Sequence, residues 1–121
     1  MLRTLLIATV ANLASPALAA VDLGVTLGLS GNAEIKDVVY DCGTEQPLLV
    51  QYVYAEPNFL AIIPIDGEDR VFVNVVSASG AKYVAGEYEW WNKGPDATLH
   101  NVTEGLDAAP VLTCAENVQT P

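Results

Sequence analysis

The chain is 121 residues long, which is enough for one domain once a leader is set aside. Fifteen Asp and Glu against five Lys and Arg give a net charge of −10. Such a surface argues against binding to phosphate backbones or anionic membranes and would attract a cationic macromolecule.

Residues 1–19 have the layout of a cleavable secretory leader. Arg3 supplies the basic start, residues 5–13 the apolar centre, and Ala17, Leu18 and Ala19 a small-x-small cleavage site. The apolar run is too short to span a bilayer, and Asn12 and Pro16 interrupt the segment. No Cys follows the cleavage point, so neither lipid attachment nor a membrane anchor is expected. The mature protein is expected in the periplasm or secreted beyond it. Residues 20–36 mix Gly, Leu and Asn without steady periodicity and read as an N-terminal arm. Such an arm could be exchanged between two subunits of a homodimer.

From Asp37 to 117 the chain reads as a single β domain. Runs at 38–42 and 48–54 come first; Leu48, Val50, Tyr52 and Tyr54 share one face of the second, with Gln51 on the other. Residues 59–65 are almost continuously apolar, and Asp66-Gly67 is a strong hairpin signal. In 70–78, Val71, Val73 and Val75 point one way and Arg70 and Asn74 the other. A short run at 81–84 precedes 87–91, where Tyr88 and Trp90 lie opposite Glu87 and Glu89. Gly94-Pro95 breaks the chain, and 96–102 and 111–114 close the series. About eight short runs with no helical window imply an antiparallel sandwich or a small barrel. A barrel of that size is filled by its own side chains, so function belongs to its loops.

The two cysteines, Cys42 and Cys114, lie near opposite ends of this domain and read as a disulfide in an oxidising compartment. A redox or metal pair finds no support, because there is no C-x-x-C spacing and His100 is the sole histidine. No metal or cofactor is expected.

Positive charge is scarce, which draws attention to Lys93 beside Gly94. Taken alone, that lysine reads as a solvated turn residue, and Ser79-Gly80 as a plain turn. The combination is more specific. Tyr40-x-Cys42, then Ser77, Ser79-Gly80, Lys82 and Tyr83, then Trp90, Trp91, Asn92, Lys93 and Gly94, then Val111-Leu112-x-Cys114, resembles the periplasmic inhibitors of C-type lysozyme, a family that includes a membrane-bound lipoprotein branch. The resemblance implies an eight-stranded antiparallel β-barrel and a C-type lysozyme as protein partner. It further implies that Ser79 and Lys93 enter the enzyme's active-site cleft, as part of a lysozyme-binding set that also includes Gly80, Tyr83 and Gly94. Tyr83 reads as a residue that orders its loop.

These residue types suit the task. Lysozyme uses two carboxyl groups, one protonated and one ionised. A lysine ammonium suits the ionised one, and a serine hydroxyl can donate to or accept from a carboxyl in either state. Glu87, Glu89 and Asp96 could steer a basic enzyme toward the surface. An inhibitor of this kind performs no catalysis. His100, Ser79 and Asp96 do not form a hydrolytic triad, since no nucleophile elbow is present and strand neighbours give the wrong geometry. Trp90 is expected in the core and Trp91 near the surface. The competing reading is a lipocalin-like carrier, which would need an empty interior.

Overall fold

A computed structural model describes residues 10–16, 26, 28, 29 and 31–118. The leader reading therefore lies largely outside the described residues, as do residues 20–25, 27 and 30 of the arm read over 20–36. Eight strands follow one another: β1 Glu34–Asp41, β2 Leu48–Ala55, β3 Asn58–Ile65, β4 Glu68–Val75, β5 Ala81–Ala85, β6 Tyr88–Lys93, β7 Asp96–Asn101 and β8 Leu112–Glu116. Each pairs antiparallel with the next, and β1 pairs with β8, so the sheet closes into a barrel. This settles the choice between sandwich and barrel.

The inward faces form one continuous core. Trp90, Phe72, Ile63, Leu99 and Val50 are fully buried, with Tyr40, Tyr52 and Tyr83 packed among them. In β4 the alternation is as expected, with the valines on the outside and Phe72 pointing in. The barrel is narrow, so one Phe fills the mid-strand position. Arg70 and Asn74 share its face at the two ends, where the interior meets solvent. Arg70 lies 5.0 Å over the Tyr88 ring and 3.5 Å from Glu87.

β1 starts at Glu34, inside the segment read as an arm. Its first four residues are exposed and lack an apolar face, so nothing in their pattern announces a strand. What holds them is backbone pairing to β2, from Glu34 opposite Tyr54 to Tyr40 opposite Leu48. Asp66 and Gly67 both have positive φ, the conformation a two-residue hairpin with right-handed strand twist requires.

Up-and-down order sends alternate connections to opposite ends. The loops between β4 and β5 and between β6 and β7 lie at one end, together with the start of β1 and the finish of β8. The closing seam is short. Only Tyr40 opposite Glu116 and Asp41 opposite Ala115 pair across it, helped by the Asn117 amide donating to the Val39 carbonyl at 2.8 Å. Cys42 and Cys114 are joined in a disulfide beside those pairs, one residue beyond Asp41 and one before Ala115.

Candidate functional site: two tips at one end of the barrel

Ser79 lies on the loop between β4 and β5, and Lys93 ends β6 just before the Gly94 turn. Both are exposed and both belong to the same end of the barrel. The tips are held to each other. The indole N–H of Trp91 donates to the Ser79 carbonyl at 2.8 Å, and the Lys93 ammonium lies 3.6 Å from the centre of the Trp91 ring. The Ser77 hydroxyl closes the first loop by donating to the Gly80 carbonyl at 3.0 Å.

Gly80 is needed here for two reasons. Its φ of 64° is in the left-handed region, and a Cβ there would collide with the Asn92 carbonyl oxygen. The loop backbone therefore rests directly on β6. Gly94, with φ of 58°, makes the turn after Lys93, and a Cβ there would meet open space.

Tyr83 is inside the barrel, 4% exposed, with its ring 5.6 Å from that of Tyr52. It sits on β5, two residues after Ala81, and is buried, so it presents little surface of its own to a partner. Burial pushes its hydroxyl up to about 12, with neighbouring Tyr54 and Tyr52 adding to the effect.

Asn92 connects the tip to the core. Its side-chain amide donates to the hydroxyls of Tyr40 at 2.9 Å and Tyr52 at 2.6 Å, and the Trp90 indole also donates to Tyr52, at 2.8 Å. The Tyr40 and Tyr52 hydroxyls are themselves 2.8 Å apart. Every strand residue from Trp90 to Lys93 is thus committed: Trp90 and Asn92 inward, Trp91 and Lys93 outward. Sequence reasoning placed Trp90 and Trp91 on these faces, but not the bridge that Trp91 makes.

Charge at the site is uneven. Lys82 pairs with Glu89 at 3.4 Å and also lies 4.1 Å from the Trp91 ring centre. Arg70 pairs with Glu87. Two of the three acids expected to steer a partner, Glu87 and Glu89, are therefore engaged by cations on the barrel itself. Lys93 makes no ion pair among the described residues. Lys36, on β1 at the mouth cleft, is likewise without an ion pair among the described residues, so Lys93 is one of two such cations and the one that lies on a tip.

The interior has no room for a carrier's ligand. Its largest side chains fill it, and the cleft at the mouth, lined by Lys36, Tyr54, Asn92, Gly94 and Glu116 among others, holds about 170 Å³. Pockets for small molecules run from about 300 Å³ upward. His100 shares its hydrogen bond with Thr98 at 3.1 Å and takes no part with Ser79.

The family described as membrane-bound lysozyme-inhibitor of c-type lysozyme matches residues 40–107. The chain belongs to this family. A membrane-bound lysozyme inhibitor of C-type lysozyme from Pseudomonas aeruginosa is 42% identical over 93 residues, 74% of this chain and 73% of that protein. One from Cupriavidus necator is 40% identical over 79 residues, 65% of this chain and 63% of the relative. These relatives are inhibitors rather than enzymes. Among solved structures, Pseudomonas aeruginosa MliC in complex with hen egg white lysozyme has a TM-score of 0.64 at 39% identity, covering 82% of this chain and 98% of that one. PliC-St, the periplasmic lysozyme inhibitor of C-type lysozyme from Salmonella typhimurium, has a TM-score of 0.58 at 35% identity, covering 69% and 98%.

Proposed function

We propose that this protein is an exported inhibitor of C-type lysozyme that acts by inserting Ser79 and Lys93 into the enzyme's catalytic cleft. The observation that carries this reading is the presentation of both side chains, exposed and tied through Trp91, at one end of a rigid barrel. The crystallised complex of the Pseudomonas aeruginosa relative with hen egg white lysozyme supports the choice of partner.

The chemistry follows from the target. Lys93 meets the ionised carboxylate with a charged hydrogen bond, and Ser79 meets a carboxyl group as donor or acceptor. Docking removes water from both, so losing Lys93 also leaves the enzyme's carboxylate dry and unpaired. Inhibition is stoichiometric occupation of the cleft. Periplasmic localisation fits the leader-like start, the disulfide and the periplasmic relative.

The test is the Ser79→Ala/Lys93→Ala variant, titrated against hen egg white lysozyme. Inhibition should be lost while thermal unfolding is unchanged. Full potency in the folded double variant would overturn the reading. An invertebrate-type lysozyme assayed in parallel should be unaffected by the wild-type protein.

A further inference from the structure

Trp91 touches both tips. Its N–H holds the backbone of the Ser79 loop, and its ring is the seat of the Lys93 ammonium. It is half-buried on the outer face of β6, and its register partner on β5 is Lys82. A core role is excluded by that placement, because Trp90, on the other face of the strand, fills the interior.

We propose that Trp91 is a positioning residue of the inhibitory site, fixing the distance and direction between the Ser79 hydroxyl and the Lys93 ammonium before a partner arrives. This inference rests on the reading that both groups enter a lysozyme cleft. The physical reason is preorganisation. A lysine on a turn has many rotamers, and ordering it on binding costs affinity. A π face attracts the ammonium and narrows those rotamers in advance. That attraction is weaker than a charged hydrogen bond to a carboxylate, so the seat releases its cation when a carboxylate presents itself.

Lys82 makes the arrangement selective. Two ammonium groups lie against one ring and repel each other. Glu89 neutralises Lys82, which leaves Lys93 as the unpaired charge of the two. The loop side is equally constrained, since Gly80 lies against the Asn92 carbonyl and the Lys93 side chain.

The experiment combines NMR of the free protein with inhibition of hen egg white lysozyme, using Trp91→Phe and Trp91→Leu. In the wild type, the Lys93 methylene protons should be shifted upfield by the indole ring current. Trp91→Phe should keep a reduced shift, loosen residues 77–80 and weaken inhibition severalfold. Trp91→Leu should abolish the shift and weaken inhibition about tenfold or more, and that loss should shrink in a Lys93→Ala background. Absence of the ring-current shift in the wild type overturns the proposal, whether or not the Leu variant folds. So does wild-type potency in both Trp91 variants. If instead Ser79→Ala and Lys93→Ala inhibit normally, the insertion reading fails, and the ring-current result still decides whether Trp91 seats Lys93.

Discussion

Asn92 and Tyr52 are joined by a 2.6 Å hydrogen bond that fastens the residue before Lys93 to the barrel interior. The same amide reaches the Tyr40 hydroxyl, so one side chain from β6 links β1 and β2 at the mouth. Asn92→Ala removes both bonds and should cost about 1–2 kcal/mol, near the lower end because the Asn92 Oδ1, which has no partner among the described residues, goes with it. Urea unfolding measures the loss, and inhibition should weaken as the β6 tip loosens.

Gly80→Ala tests the close approach of loop and strand. The new Cβ would strike the Asn92 carbonyl, and the backbone would hold a left-handed conformation with a side chain. The loop should shift away from β6, lowering inhibition by a factor of ten or more. Gly94→Ala shares the backbone penalty but not the collision, so its effect should be smaller.

Alkaline pH should unfold the protein through its buried tyrosines. Burial raises the Tyr83 hydroxyl to about 12, and burial likewise raises Tyr40 and Tyr54. An unfolded tyrosine titrates at about 10. The folded state therefore holds its proton more tightly, and this contribution is complete below about pH 10 and is lost as pH rises through about 12. Circular dichroism and tyrosinate absorbance followed together should show Tyr83 ionising with the loss of structure. Ionisation of Tyr83 near pH 10 in an intact fold would contradict its burial.

The disulfide lies beside the weakest closure of the sheet. Cys42→Ser/Cys114→Ser should lower stability by up to about 4 kcal/mol, since the bridge closes a long loop in the unfolded chain. Hydrogen exchange should rise first at β1 and β8, whose mutual pairing is short, and later in β3 and β4. Uniform acceleration through the whole barrel would show that the seam has no special weakness.

Salt should slow association with lysozyme more than it speeds dissociation. The acidic surface acts at a distance, over a Debye length that shrinks as ions are added. Because Glu87 and Glu89 are paired locally, charge reversal at Asp96, exposed opposite Lys93, should change the association rate more than reversal at either of them. Stopped-flow binding to hen egg white lysozyme at several ionic strengths makes the comparison.

Much of the barrel was legible because its strands alternate. Tyr88 and Trp90 against Glu87 and Glu89, and the Asp66-Gly67 hairpin, announce their own conformation locally. The start of β1 does not, because exposed residues held by backbone pairing leave no apolar signature. Phe72 was legible as an inward residue by its size, and it fills the interior between outward valines. The pairing of Cys42 with Cys114 followed from counting cysteines. The meeting of Ser79 and Lys93 at one end depends on strand order, which the resemblance implied and periodicity did not. The Trp91 bridge depends further on register, since Lys82 must face Trp91 for the ring to lie between the tips. No single-residue pattern encodes that.

The strand that opens the barrel and the strand that completes it both have their free ends at the end that carries Ser79 and Lys93. A module fused directly before Glu34 or after Glu116 would therefore start at the end of the barrel that an approaching enzyme must reach. Labels and attachment points are better placed at the Asp66-Gly67 hairpin on the far side, which leaves the working face unobstructed.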